Sequence, residues 1–563
     1  MAFRWRSMRA IVLLLGAAAL VPAWAATEGP VAAPISQDSL SQIEIGRRMY
    51  RGGILPSGEL MTGIVQGDVP LTGEQVICGR CHRRSGMGAP EGQNVAPAVV
   101  GDILFQPLRL PTSKPPLPPE RRPAYTDETI KIAIRQGIGA NGQTLGPLMP
   151  RYPLTDAQLD PLIAYLKTLE SSPAPGVTDR DMHFATVIAG PVDPGTRQAF
   201  LNVFNTFFEH KNRETRHETE RAAHAPWHKA WALETYRKWV LHLWELQGPP
   251  ETWGPQLDAL YRDQPVFAVL SGIGVGSWAP IHQFCEANGV PCVLPLTELP
   301  VVREADFYSL YFTRGMGLEA DVLAHHLASV NPATDPVIQV YASDDPRAKG
   351  AAEQLRVRLE ATGRAAVDRA VEGASFDDRL WQEVIDSAVG KSVVLWLGAD
   401  ALEGLWNHWT PETAGGPARV FLSTTIFGTE PGNLPPRLRD RVFLVHPSEL
   451  PSRLPQRLVR SAGWFKSQHI AEPDAQQVQA NAFFALKLIG EATKGIRGYY
   501  NRELLLERIE HMTENAVFTS VYPRLSLAPG QRFLSRGAYI AQFAAQEGGD
   551  LTALTPWLIP AFK

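Results

Sequence analysis

The sequence predicts a multidomain chain: an all-α front domain over residues 38–170, then a two-lobed α/β domain over residues 180–563. Three observations carry this reading. Leu159, Leu162, Ile163, Leu166 and Leu169 recur at helical spacing behind a Thr155/Gln158 capping box, so the front segment closes on a well-marked helix. Ser171-Ser172-Pro173-Ala174-Pro175-Gly176 then opens a linker, residues 171–179, of turn and extended formers. Beyond it, short β-branched runs alternate with helical patterns, as in parallel sheets covered on both faces.

Residues 1–25 read as a secretory signal peptide. Arg4, Arg6 and Arg9 form a positive n-region, and Ala23-Trp24-Ala25 is a small-x-small cleavage site. The apolar stretch between them, Ala10 to Leu20, is shorter than the ~20 residues a spanning helix needs. Cleavage near Ala25 leaves 51 basic against 58 acidic residues, a net charge of −7, which argues against a nucleic-acid or anionic-membrane partner. No later stretch is long and apolar enough to span a bilayer, so the mature chain is expected in the periplasm.

The front domain opens with a helix around Ile43 to Arg51, where Gly46 admits a close neighbour and Tyr50 fills the contact; its partner is the closing helix. Between them lies Cys78-Gly79-Arg80-Cys81-His82, and C-x-x-C-H is the attachment pattern of a covalent c-type haem. Residues three apart share a face of a helical turn, so both sulfurs reach one macrocycle while His82 presents its imidazole to the metal. A zinc knuckle or a thiol redox pair also uses C-x-x-C; the exported compartment and the rest of the segment favour one covalent haem c.

The sixth ligand has three candidates. Met87 follows His82 by only five residues, too few to cross the macrocycle, and Met61 has no supporting motif. Met149 sits in the proline-bracketed loop Gly146-Pro147-Leu148-Met149-Pro150-Arg151-Tyr152, which holds a thioether rigidly. A further helix begins near Thr126, with Asp127 and Glu128 suiting its dipole, and ends at Gly137.

With these features together, residues 38–170 resemble a class I mono-haem cytochrome c. The resemblance implies covalent haem on Cys78 and Cys81, axial ligation by His82 and Met149, and a Pro97 carbonyl that supports the proximal histidine. It also implies single-electron transfer between periplasmic partners, such as a dehydrogenase donor and a cytochrome or oxidase acceptor. A histidine/methionine pair favours a high reduction potential and fills both axial positions, so an electron carrier is expected rather than an enzyme. The departure from the family is a proline-dense insertion, Pro111 to Pro119, read as a semi-rigid surface loop.

In the second domain the candidate strands are Ala185 to Ala189, Val240 to Glu245, Val266 to Ser271, Val290 to Leu294, Val337 to Tyr341, Val393 to Leu397, Val420 to Ser423 and Val442 to Val445. About 385 residues exceed what one sheet's core covers, so two lobes with a cleft are expected. The order of elements resembles the type I periplasmic solute-binding proteins, particularly the branched-chain amino acid and amide branch. That resemblance implies a small organic ligand held between the lobes by hydroxyls at strand ends: Ser271, Ser277 and Thr297 from one lobe, Tyr341 and Ser343 from the other. A charged, aromatic insert, Phe208 to Trp239, is placed where it could plug that cleft.

Cys285 and Cys292 form either a disulfide between a helix end and the next strand or two buried thiols. Ser271-Gly-Ile-Gly-Val-Gly-Ser277 imitates a dinucleotide loop but lacks its third glycine, and reads as a tight turn. His210, His217, His224 and His228 would share a stripe on an unbroken helix, but Pro226 interrupts it and the neighbours are charged, so a solvated face is expected. Trp227, Trp231, Trp239, Trp244 and Trp253 are expected to form a local core or a docking surface. The function expected overall is electron transfer, with the second domain sensing a ligand or docking a partner; the alternative is a solute-binding component in which haem is accessory.

Overall fold

The computed structural model describes residues 37–561, apart from 67, 92–93, 111–119, 225–236, 302, 304, 331–334, 374–375, 410–416, 495, 497–498, 514–519, 528–529 and 547. The leader, the Pro111–Pro119 insertion, Trp227, His228 and Trp231 therefore lie outside the described residues.

The front part has its own core, running from Met49 to Leu169. Its frame is the pair of helices Gln37–Gly52 and Asp156–Thr168. They approach closely because Gly46 has no side chain: a Cβ there would stand 2.0 Å from the Pro161 carbonyl oxygen. Tyr50 packs on Tyr165 beside this contact, ring centroids 5.4 Å apart. Thr155 caps the closing helix through a reciprocal box with Gln158. The helix Asp127–Gln136 is capped by Thr126 and stops at Gly137 in the left-handed conformation.

This part is not purely helical. Three two-stranded antiparallel ribbons join the helices: β1 (Thr62–Val65) with β2 (Val69–Thr72), β3 (Ala89–Glu91) with β4 (Asn94–Ala96), and β5 (Leu108–Leu110) with β6 (Glu120–Arg122). The all-α expectation is corrected to that extent. These strands are three or four residues long, too short to carry an apolar alternation; pairing satisfies backbone groups that the connecting loops would otherwise leave unbonded.

The linker is not a free tether. The Ala174 amide donates to the Tyr500 carbonyl (2.8 Å) and Arg502 donates to the Pro175 carbonyl (3.1 Å). A Cβ on Gly176, whose φ is +92°, would come within 2.2 Å of the Phe267 amide nitrogen.

After it come two parallel sheets. The first contains β7 (Asp181–Ala189), β8 (Lys238–Leu246), β9 (Ala268–Leu270), β10 (Ile273–Gly274), β11 (Cys292–Val293) and β12 (Ser309–Leu310). Strand β7 is central, pairing with β8, β9 and β10, and β11 and β12 continue from β9. The second runs in the order β14 (Ala366–Val371), β13 (Val337–Ala342), β15 (Ser392–Trp396), β16 (Arg419–Ser423), β17 (Val442–His446), β18 (Tyr539–Phe543), β19 (Leu551–Ala553), the last two antiparallel.

The chain passes between the lobes repeatedly. The helices Gln476–Lys494 and Arg502–Thr513 return to pack on the first lobe, sharing a core with Phe184, Phe204 and Phe267, before β18 rejoins the second sheet. Cys285 and Cys292 are joined as a disulfide, Cα atoms 6.1 Å apart, tying the helix Ala279–Asn288 to β11.

The start of the charged insert continues the helix Pro194–His224, whose Phe204, Phe207 and Phe208 enter the first-lobe core. Asn212 bonds both the carbonyl and the amide of Trp239 (2.9 and 2.8 Å), fixing the start of β8. Trp239, Trp244 and Trp253 are all buried.

Candidate haem-binding site

The helix Cys78–His82 is one turn and a half long and ends abruptly, because Arg83 takes a left-handed φ of +64°. Tyr50 reaches over from the first helix and donates to the Arg83 carbonyl (2.7 Å). Gly79 lies against the Tyr50 ring and carbonyl, so the attachment turn sits on the helix pair.

His82 Nδ1 stands 2.9 Å from the Pro97 carbonyl oxygen. Since a carbonyl only accepts, Nδ1 carries the proton and Nε2 is the basic nitrogen, the tautomer an iron ligand requires. The β3–β4 ribbon delivers that carbonyl. Gly88, at φ +71°, lets it come close: a Cβ would meet the Ala96 oxygen at 2.0 Å and the Pro97 oxygen at 2.8 Å. Sequence reasoning missed Gly88; the Gly86-Met87-Gly88 spacing before a turn was the available signal.

Cys78 and Cys81 stand three residues apart on this helix, both half-buried. Burial pushes the Cys78 thiol up to about 11, opposed by the neighbouring Tyr152 hydroxyl. Zinc binding and thiol redox chemistry both need a ready thiolate, so this environment disfavours them. A thioether carries no charge and fits the same apolar surroundings, so the donor set suits a covalently attached haem.

Tyr152 ties the Met149 loop to the attachment turn. Its hydroxyl donates to the Val76 carbonyl (2.7 Å), and its backbone follows Arg151, which bridges to Ile64 of β1 (N···O 2.7 and 2.8 Å). Arg151 holds the loop from within, donating to the carbonyls of Met149 (2.5 Å), Leu145 (3.0 Å) and Gly146 (3.4 Å). Met149 is half-buried, Met61 is wholly buried in the front core, and Met87 packs against both that core and the first lobe.

The residues after His82 dock on the second domain. Arg84 donates to Glu503 (3.0 Å) and lies over the Phe307 ring at 4.0 Å. Arg51 donates to the same Glu503 oxygen (3.0 Å). Ser85 gives its amide (2.8 Å) and hydroxyl (2.6 Å) to the two oxygens of Glu507. Burial raises the Glu507 carboxyl to about 7 against these bonds. This contact was also missed, although Glu503, Glu507 and Glu510 fall on one helical face and complement Arg83-Arg84.

The predicted pocket hydroxyls lie at or near strand ends but differ in use. Ser277 accepts from the Ala279 amide (3.3 Å), Thr297 from the Leu299 amide (3.2 Å), and Ser343 donates to the Val371 carbonyl (3.1 Å), all local turn or strand bonds. Tyr341 is half-buried at the end of β13. Ser271, at φ +50° after β9, is buried and its hydroxyl has no hydrogen-bond partner among the described residues. Glu298, next to Thr297 in the first lobe, pairs with Arg347 of the second at 2.6 Å. The glycines of the 271–277 loop make room for Trp278: a Cβ on Gly272 or Gly274 would lie 3.0–3.1 Å from its ring.

Residues 74–170 match the family model described as Cytochrome c, and this segment is a cytochrome c domain. No curated protein matches the chain. Solved structures similar to it include a fatty acid ABC transporter substrate-binding protein from Thermomonospora curvata, at 13% identity and a TM-score of 0.46, covering 69% of this chain and 95% of that one. Another is a branched-chain amino acid ABC transporter from Thermus thermophilus with bound valine, at 13% identity and a TM-score of 0.47, covering 68% and 98%. The two lobes follow from the chain's own strand order. Among the described residues no helix is long and apolar enough to cross a membrane.

Proposed function

We propose that this chain is a periplasmic electron carrier, dividing at residues 171–179 into a c-type cytochrome and a solute-binding-like domain. One haem c would be held by thioethers from Cys78 and Cys81, with His82 and Met149 on its two faces. When bound, that group supplies a reversible one-electron couple. The residues orient it: the Pro97 carbonyl fixes the imidazole, Arg151 sets the Met149 backbone, and Tyr50 holds the turn that follows His82. The observation that carries the reading is the 2.9 Å contact from His82 Nδ1 to the Pro97 carbonyl inside a C-x-x-C-H turn.

The test is an optical spectrum of protein matured with its haem-attachment apparatus, with and without reductant. A thioether–iron charge-transfer band that disappears in Met149→Ala is the expected result. Colourless protein, or a band unchanged in Met149→Ala, overturns the assignment. Ready binding of carbon monoxide or cyanide at neutral pH would instead mark an open axial position and a haem enzyme.

A second reading, solute capture with haem as accessory, is favoured by the buried, unpartnered Ser271 hydroxyl at a strand end. Calorimetry against amino acids, amides and small alcohols separates the two. Tight binding supports capture, and its absence leaves the second domain as the surface for a redox partner.

A further inference from the structure

The helix Ala279–Asn288 places His282 and Glu286 on one face, four residues apart. A turn closed by the Asp306 amide on the Arg303 carbonyl (3.2 Å) brings Asp306 to the same spot from the loop before β12. One ligand atom from each of the three lies within 4.8 Å of the others, the one such convergence among the described residues. His282 is 2% exposed.

The second observation is a pair of orphaned atoms. His282 Nε2 and Asp306 Oδ2 are 3.0 Å apart, yet among the described residues neither has a hydrogen-bond partner, each other included. The carboxylate oxygen lies off the direction in which an Nε2 proton would point, so a proton between them would leave both buried atoms poorly satisfied. A metal ion satisfies both. Two ligands each about 2.1 Å from a tetrahedral ion stand about 3.4 Å apart, a few tenths of an ångström beyond the separation seen here. The other imidazole nitrogen is already oriented, Nδ1 lying 2.9 Å from the Tyr311 hydroxyl, which is how ligating histidines are usually held.

We propose that His282, Asp306 and Glu286 form a binding site for a first-row divalent transition metal ion in the first lobe. One imidazole and two carboxylates suit zinc or manganese; magnesium and calcium prefer all-oxygen sets. Glu286 Oε1 accepts one amide, from Ser309 (2.8 Å), and so retains a lone pair, whereas Oε2 accepts two, from Phe307 (3.0 Å) and Tyr308 (3.2 Å). The ion would therefore brace the segment on which the cytochrome domain rests, since Phe307 lies under Arg84 and Tyr308 donates to Glu503 (2.9 Å).

The test uses full-length, haem-loaded protein, so that Cys78 and Cys81 are already thioethers. After chelator treatment it is titrated with zinc chloride, with magnesium chloride as the hard-cation control. One zinc per chain at micromolar concentration, a raised melting temperature and no response to magnesium are expected. Asp306→Asn, on the loop and away from the helix core, should weaken zinc by about a hundredfold, and His282→Gln should do the same if Asp306→Asn does not fold. Absence of zinc binding to the wild-type protein, or unchanged affinity in whichever variant folds, overturns the proposal.

Discussion

Glu507→Gln tests whether the seam between the domains is a titrating contact. In the folded chain the Glu507 carboxyl is lifted from an ordinary 4.5 to about 7, burial being the main cause and the two bonds from Ser85 opposing it. A carboxyl raised in this way binds its proton more tightly folded than unfolded. Stability is therefore fully present below about pH 4.5, falls as pH rises and the unfolded chain ionises first, and levels off above about pH 7. At about 1.4 kcal/mol per pH unit, a rise from 4.5 to about 7 corresponds to about 3.5 kcal/mol at most. The glutamine keeps an acceptor for the Ser85 amide and a partner for its hydroxyl but has no proton to lose. Denaturant unfolding of haem-loaded protein at pH 5, 6, 7 and 8 should show a wild-type decline that is visibly shallower in Glu507→Gln. Glu319, buried in the second lobe and likewise raised to about 7, declines equally in both proteins and cancels in the comparison. Identical slopes for the two proteins would refute the assignment of a buried, titrating carboxyl at this seam.

Three further substitutions read other parts of the structure. Gly46→Ala drives a methyl into the Pro161 carbonyl and should cost about 1–3 kcal/mol by denaturant unfolding, with the front domain melting first. Gly88→Ala meets both a left-handed backbone and the Ala96 oxygen; by pulling the Pro97 carbonyl away from His82 it should raise the haem reduction potential in a redox titration, because the imidazole becomes a weaker donor. Replacing Cys285 and Cys292 together by serine opens a short loop and should lower stability by about 2 kcal/mol while leaving the optical spectrum unchanged.

The strands most legible in the sequence are those buried on both faces. All eight candidate runs of the second domain overlap observed strands; most are continuous apolar stretches such as Ser392–Trp396, which have no other stable place, while Lys238–Leu246 is only partly buried. Strand Ala366–Val371 was not legible: it lies at a sheet edge, four of its six residues are exposed, and its charges hide the pattern. The two-residue strands β10 and β12 carry no periodicity at all. At the C-x-x-C-H turn the motif alone points to covalent haem attachment, and Cys78, Cys81 and His82 are the residues it proposes. Gly88 and Arg151 could not, since their roles depend on which carbonyls lie nearby. The histidine series from 210 to 228 drew attention by its spacing, but in the structure His210 is exposed beside Glu214 (3.6 Å). The convergent His282 and Asp306 are 24 positions apart and meet only through a loop, a relation that no local pattern announces.

The two domains are more than neighbours on a string. The nine-residue linker alone would leave them free to reorient, since it spans up to ~30 Å. Here the linker is bonded to the second domain at both Ala174 and Pro175, and a second attachment is made by the chain itself two to five residues after His82. Arg84 contributes a stacked, charge-paired contact, Ser85 a buried two-point contact, and Met87 an apolar one. Two separated attachments fix an orientation that one cannot, so any shift of the helix Arg502–Thr513 must be felt at the turn leaving His82. That helix belongs to the first lobe, and the Glu298–Arg347 pair ties the same lobe to the second. A change in lobe angle thus has a continuous path of bonded groups to His82, whereas a cytochrome joined by a flexible tether would have none.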